Sequence, residues 1–110
     1  MNIQIFGKSK CFDTRKAERY FKERGIKFHS IDLLQKCLSK GELTSVIAAV
    51  GIDSLACEKS QDYHLFKHLV DEAKPGKLLE CPKLLKTPIV RNGKSATVGY
   101  CPEVWKHWLL

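Results

Sequence analysis

The stretch NIQIFGKSKCFDTRKAERYF, residues 2–21, carries two different periodicities joined by a short break. Asn2 to Phe6 alternates, with Ile3 and Ile5 on one side, as a half-buried strand does. Gly7-Lys8-Ser9-Lys10 interrupts the alternation. From Thr14 the spacing is helical: Ala17, Tyr20, Phe21 and then Arg24 share a side, and Gly25 supplies the stop. Ile26 to Leu33 reads as a second strand. A strand–helix–strand crossover of this length predicts a parallel pair.

Outward from that unit the pattern changes twice. Ser39-Lys40-Gly41-Glu42 has capping-box spacing, and Leu43, Val46, Ile47 and Val50 form an apolar stripe that ends at Gly51. A second helical pattern with Tyr63, Phe66, Leu69 and Val70 runs to the breaker Pro75-Gly76. In the last third, Pro88 precedes a strand at Ile89-Val90-Arg91. Asn92-Gly93 is a two-residue hairpin signal, and Ser95 to Val98 returns as the partner strand. Pro102 then opens a helix whose apolar face holds Val104, Trp105, Trp108 and Leu109. The order is βαβ, helices, ββα. It predicts an α/β, thioredoxin-like fold with a mixed four-stranded sheet, in one domain over 1–110, with a helical insertion over about 35–85.

Composition bounds the function. The chain has 110 residues, 44% hydrophobic and 28% charged, enough apolar content for a core. Its longest uncharged run, Leu43 to Ile52, is well short of the ~20 residues of a membrane span. No basic region followed by an apolar stretch opens it, so neither a signal peptide nor a membrane association is expected, and the expected compartment is the cytoplasm. A formal charge of +7 suits anionic partners. The lysines Lys8, Lys10, Lys16, Lys22 and Lys27 are scattered without interleaved aromatics, so a nucleic-acid partner is not expected. No period exists that would signal collagen, a coiled coil or a repeat array.

Five cysteines, Cys11, Cys37, Cys57, Cys81 and Cys101, are an odd set at long gaps, and no C-x-x-C pair occurs. That pattern argues against a secreted disulfide scaffold and against a zinc ribbon. His64 and His68 have i, i+4 spacing but no third ligand nearby, so they read as solvated helix residues and no metal site is expected. Cys11 is different from the other thiols. It lies between the first strand and the first helix, where free N–H groups favour a thiolate. Lys8, Lys10, Arg15 and Lys16 add positive charge that should depress its pKa. Thr14, three residues on, offers a hydroxyl to the sulfur or to the helix end. Pro88 is a candidate cis residue for the wall opposite the thiol.

Strand–K-C-F-D-T-R-K-A–helix, then F-H-S-I-D-L-L at Phe28 to Leu34, and L-L-K-T-P-I-V…V-G-Y-C-P-E-V-W from Leu84 to Trp105 resemble the arsenate reductase/Spx family. The likeness runs through nearly the whole chain in order. It implies a thioredoxin-like fold with an inserted helical part and a redox cysteine at Cys11. The Spx-like regulatory branch carries C-x-x-C, whereas the reductase branch carries one cysteine followed three residues on by a hydroxyl residue. Cys11-Phe12-Asp13-Thr14 is similar to the second. Arsenate reductases hold their oxyanion with three arginines, and the matching positions here are Lys59, Thr87 (with Lys86 before it) and Tyr100. Lysine lacks the planar fork that grips two oxygens at once. Thr87-Pro88 resembles instead the pair beside which glutaredoxins receive glutathione or a thiol-bearing peptide.

The expectation is a thiol oxidoreductase that is poor on arsenate. Cys11, Thr14 and Arg15 form its candidate catalytic set, and Lys59, Lys86, Thr87, Pro88 and Tyr100 its substrate-binding set. Cys101, beside the last arginine position of the family, and Cys57 are candidate resolving thiols. Cys37 and Cys81 carry no argument. No bound cofactor is expected; glutathione is the candidate co-substrate, with a small thiol or disulfide substrate, glutathione or a glutaredoxin as candidate partner and a monomeric state. The alternative is a redox-responsive regulator of the Spx type that docks on a protein partner such as RNA polymerase.

Overall fold

The computed structural model describes residues 2–109. Strand β1 (Ile3–Gly7) is followed by helix α1 (Phe12–Glu23) and strand β2 (Phe28–Asp32). Helices α2 (Lys40–Val50), α3 (Tyr63–Lys67) and α4 (Lys74–Glu80) form the insertion, with 3-10 turns at Asp53–Leu55 and Pro82–Leu84. Strands β3 (Ile89–Asn92) and β4 (Ser95–Val98) and helix α5 (Pro102–Trp108) complete the chain. The sheet order is β2-β1-β3-β4, with β1 parallel to β2 and the other two pairings antiparallel. This is the mixed four-stranded, thioredoxin-like sheet that the element order predicts.

The period-2 alternation of β1 decides which side each core takes. Ile3 and Ile5 turn to one face, where with Val90 they meet Ala17, Tyr20 and Phe21 of α1 and Trp105 of α5. Phe6 turns to the other face and joins Ile89, Leu43, Val46, Phe66 and Leu78 under the insertion. Both terminal-half helices therefore lie on one face, and the insertion covers the other. Trp105 is fully buried and its indole N–H donates to Thr97 Oγ1 at 2.8 Å, which satisfies the polar edge of the largest core side chain.

Local signals explain the helix ends. Gly25 has φ +68, and its N–H and that of Ile26 close back on the Lys22 and Phe21 carbonyls, the Schellman arrangement. The Ser39 capping box forms in full: Glu42 N–H donates to Ser39 Oγ at 3.1 Å and Ser39 N–H to Glu42 Oε1 at 2.8 Å.

Three details differ from the sequence reading. The apolar pattern of residues 63–70 is not one helix ended by Pro75-Gly76. It stops at Lys67, leaving Leu65 and Val70 exposed, and α4 starts at Lys74 with Pro75 in its first turn. A proline there costs nothing because its missing N–H has no intrahelical acceptor. The hairpin register is shifted by one residue: Asn92 pairs with Ser95, so Gly93-Lys94 forms the loop. Gly93 alone supplies the positive φ (+61), as the first central residue of a II′ turn requires. Val104 is exposed and does not share the buried face of Trp105. Among the described residues, no helix is long and apolar enough to cross a membrane.

Candidate functional site

The break after β1 is a turn that sets Cys11 at the N-cap of α1. Its amide N–H donates to the Lys8 carbonyl at 3.0 Å, and its backbone is extended (φ −87°, ψ 119°). The half-buried thiol points across the site to the Thr87 carbonyl, 3.7 Å from Sγ. The Thr87–Pro88 peptide is cis. The fold thus brings Cys11, Thr14, Thr87 and Pro88 together, although 76 residues separate the sulfur from Thr87.

Burial pushes the Cys11 thiol up. Hydrogen bonds from the Thr14 hydroxyl, from Thr87 and from the backbone N–H groups of Thr14 and Asp13 outweigh it, so the pKa lies below the ordinary thiol value. Hydrogen-bond donors, rather than the cations near it in sequence, carry the shift. Thr14 is itself buried, and its Oγ1 makes no hydrogen bond of ordinary distance and angle in the thiol form of the site. Its O–H turns freely and is therefore available to a thiolate. Arg15 donates to the Ser9 carbonyl at 3.2 Å and lies over the Phe12 ring. Lys16 lies over the Tyr100 ring.

Gly7 is what allows Thr14 to stand there. A Cβ at residue 7 would lie 2.2 Å from Thr14 Cγ2 and 2.6 Å from Oγ1, contacts that real side chains do not make. Gly7→Ala is expected to displace Thr14 and cost about 1–3 kcal/mol of stability through overpacking. Urea denaturation measures the cost, and the pH midpoint of Cys11 alkylation should rise in the same variant. An unchanged midpoint would show that Thr14 does not serve the sulfur.

The remaining sequence candidates make contacts of their own, and the cavities that Lys59 and Tyr100 line do not include Cys11. Lys59 lines a cavity of about 390 Å³ with Cys57, Ser60, Gln61, Asp62 and Lys83. Tyr100 packs edge-on against Trp105 and lines a separate cavity of about 460 Å³ beside Lys16, Arg19 and Arg24. The Lys86 N–H donates to the Leu55 carbonyl at 2.7 Å, tying the insertion to the segment before Pro88. Burial pushes the Cys101 thiol up, partly offset by the Lys86 charge, and this thiol donates to the Val98 carbonyl at 3.3 Å. Cys37 is likewise pushed up by burial. His64 and His68 touch edge to face, and among the described residues no group of three or more His, Cys, Asp or Glu could hold a metal ion.

Lys8 is the residue that sequence reasoning undervalued. Its ammonium donates to the Lys83 carbonyl at 2.9 Å and the Leu85 carbonyl at 2.8 Å, clamping the Cys11 turn to the far end of the insertion. A lysine three residues before the cysteine reads as one more solvated charge, since both acceptors are backbone groups some 75 residues away in sequence.

Comparison with known proteins places this geometry. The chain is 34% identical over 106 residues to the global transcriptional regulator Spx 2 of Oceanobacillus iheyensis, covering 91% of this chain and 78% of that one. The chain belongs to the arsenate reductase/Spx family. Within that family it is also 26% identical over 106 residues to the regulatory protein MgsR of Bacillus subtilis, covering 91% of this chain and 84% of that one. A solved arsenate reductase from Vibrio cholerae is 25% identical, with a TM-score of 0.84 over 97% of both chains. No family model matches. The relatives named as regulators match this chain in sequence, and the solved structure named as a reductase matches it in fold.

Proposed function

We propose that this member of the arsenate reductase/Spx family is a thiol–disulfide exchange protein whose nucleophile is the Cys11 thiolate. The observation that carries the reading is the Cys11 sulfur itself, lowered in pKa by hydrogen-bond donors at a helix N-terminus and facing Thr87 next to Pro88. The thiolate attacks a disulfide sulfur of a small substrate or of glutathione disulfide. The substrate S–S bond breaks, a Cys11 mixed disulfide forms, and the leaving sulfur departs with the electron pair. A second thiol, from glutathione, a glutaredoxin or this chain, then regenerates Cys11. Thr14 and the α1 N–H groups hold the thiolate, while Thr87 beside Pro88 receives the substrate backbone. Phe12, three-quarters exposed, provides an apolar rim next to the sulfur. A reactive thiolate of this kind suits a reducing compartment, and the cytoplasm is the compartment this reading assigns.

Arsenate is a poor substrate in this reading. An oxyanion needs rigid forked donors, and Lys59, Thr87 and Tyr100 stand where the resemblance implies arginines. In a coupled assay with glutathione and glutaredoxin, the protein should reduce small disulfides and show no efficient arsenate turnover. Lys59→Arg, Thr87→Arg and Tyr100→Arg together should raise arsenate affinity. Efficient arsenate reduction by the unmodified chain, lost in Cys11→Ser, would overturn the assignment of substrate.

The names of the two relatives favour a second reading, in which the same thiol sets the state of a regulator that docks on a protein partner, RNA polymerase being the candidate. A stable, redox-dependent complex recovered with the reduced chain, together with absent turnover of disulfides, would select it.

A further inference from the structure

The Cys11 turn and the segment that carries Thr87 face each other as two walls of the site. Among the described residues, three hydrogen bonds cross between residues 8–11 and 83–87. Two come from one ammonium: Lys8 Nζ donates to the Lys83 carbonyl at 2.9 Å and to the Leu85 carbonyl at 2.8 Å. The third is the long contact of Cys11 Sγ with the Thr87 carbonyl, 3.7 Å.

Each wall is held together on its own side. The Cys11 N–H closes onto the Lys8 carbonyl at 3.0 Å, so the lysine and the nucleophile belong to one turn. Opposite, Lys86 N–H donates to the Leu55 carbonyl and Cys57 N–H to the Leu84 carbonyl, both at 2.7 Å, around the bridge of Ala56 with Leu85. The Lys8–Leu85 bond is partly buried, where water competes less for the ammonium.

Exchange chemistry at Cys11 removes the third crossing bond. Once the sulfur has lost its proton, or carries a substrate sulfur, it has no hydrogen to give the Thr87 carbonyl. A thiolate is also repelled by that oxygen. The two Lys8 bonds persist through those states, because no step of the exchange alters either acceptor.

We propose that Lys8 is a positioning residue of the exchange reaction: by holding the Lys83 and Leu85 carbonyls, it keeps Thr87 opposite the sulfur while Cys11 is ionised or joined to substrate. The inference rests on the exchange chemistry assigned to Cys11 above. Lys8 acts through the Thr87 wall rather than on the sulfur. A disulfide that must lie between the walls needs both of them in place for its sulfur to be attacked in line. A small alkylating agent reaches the thiolate from solvent and needs no second wall.

The test compares Lys8→Met with the unmodified full chain in two reactions, at a pH above the Cys11 midpoint of each, where the thiol is ionised in both. With oxidised glutathione, acid quenching and mass spectrometry should show the Cys11 adduct forming several-fold more slowly in Lys8→Met. With iodoacetamide, Cys11 should be labelled at an unchanged rate. Lys10→Met removes an exposed cation next to Cys11 but no crossing bond, and both of its rates should match the unmodified chain. Should Lys8→Met not fold, the unmodified chain gives the reading: after alkylation of Cys11, amide exchange over residues 83–87 should be as slow as before, and faster exchange there overturns the clamp. Unchanged adduct formation in Lys8→Met, a matching fall in both of its reactions, or the same loss in Lys10→Met overturns the role of Lys8 while leaving Cys11 as nucleophile. A Cys11 that accepts no glutathione in the unmodified chain overturns both assignments.

Discussion

Replacing Trp105 by alanine should remove about 3–5 kcal/mol of folding stability, the cost expected for truncating a large aromatic in a closed core. Trp105 is fully buried among Tyr20, Phe21, Ile3, Ile5 and Val90, with ring centroids 5.2 Å from both Tyr20 and Phe21. The variant also strands the Thr97 hydroxyl, which accepts from the indole N–H inside the sheet face. Domains of this size are stable by only about 5–15 kcal/mol, so about a fifth or more of the total should be lost. Urea denaturation followed by far-ultraviolet circular dichroism measures it. Trp105→Phe keeps most of the volume and should cost about 1–3 kcal/mol, largely through the unpaired hydroxyl. A loss below about 1 kcal/mol in Trp105→Ala would mean that α5 does not close this core.

Cys11→Ser should reduce disulfide exchange to background while leaving the urea midpoint nearly unchanged. A serine hydroxyl does not ionise near neutral pH, so the helix N–H groups and Thr14 have no anion to stabilise. Thr14→Val should act on the same step more gently. It removes the hydroxyl but keeps the branched shape against Gly7, so the pH midpoint for Cys11 reactivity should move upward. Stopped-flow exchange with a chromogenic disulfide reads both variants. Residual exchange in Cys11→Ser comparable to the unmodified chain would place the nucleophile elsewhere.

Much of this arrangement is legible in residues 2–33 and 86–105 because the signals there are short-range. Alternation in β1, the helical spacing of α1 with Gly25 behind it, and Pro88 before β3 each report the local conformation of their own residues. The crossover rule then makes β1 and β2 parallel. What escapes the sequence is long-range. The buried ammonium of Lys74, held by Asp53 at 2.9 Å, and the Lys8 clamp both depend on backbone or carboxylate partners that only the assembled insertion brings close. The α3–α4 break escapes for a related reason. Val70 continues the apolar helical spacing of Tyr63, Phe66 and Leu69 but is left exposed, so periodicity overstates the helix there. The electrostatics of Cys11 are half legible. Proximity of the cations in sequence suggests charge as the cause of the shift, whereas Arg15 and Lys16 are engaged with Ser9, Phe12 and Tyr100, and hydrogen bonds do the work.

The central claim is that Cys11 is the reactive thiolate of this fold, and its pH-dependent alkylation tests that most directly. A thiol whose pKa is depressed is already ionised at pH values where an ordinary thiol is protonated, so its alkylation persists as pH falls. Thiols whose pKa is raised by burial, Cys37 and Cys101, lose reactivity first on the same descent. Limiting iodoacetamide, applied to the reduced chain across a pH series and mapped by mass spectrometry, should label Cys11 fastest of the five below neutral pH, with the lowest midpoint. Cys37, Cys81 or Cys101 reacting first under those conditions would contradict the account.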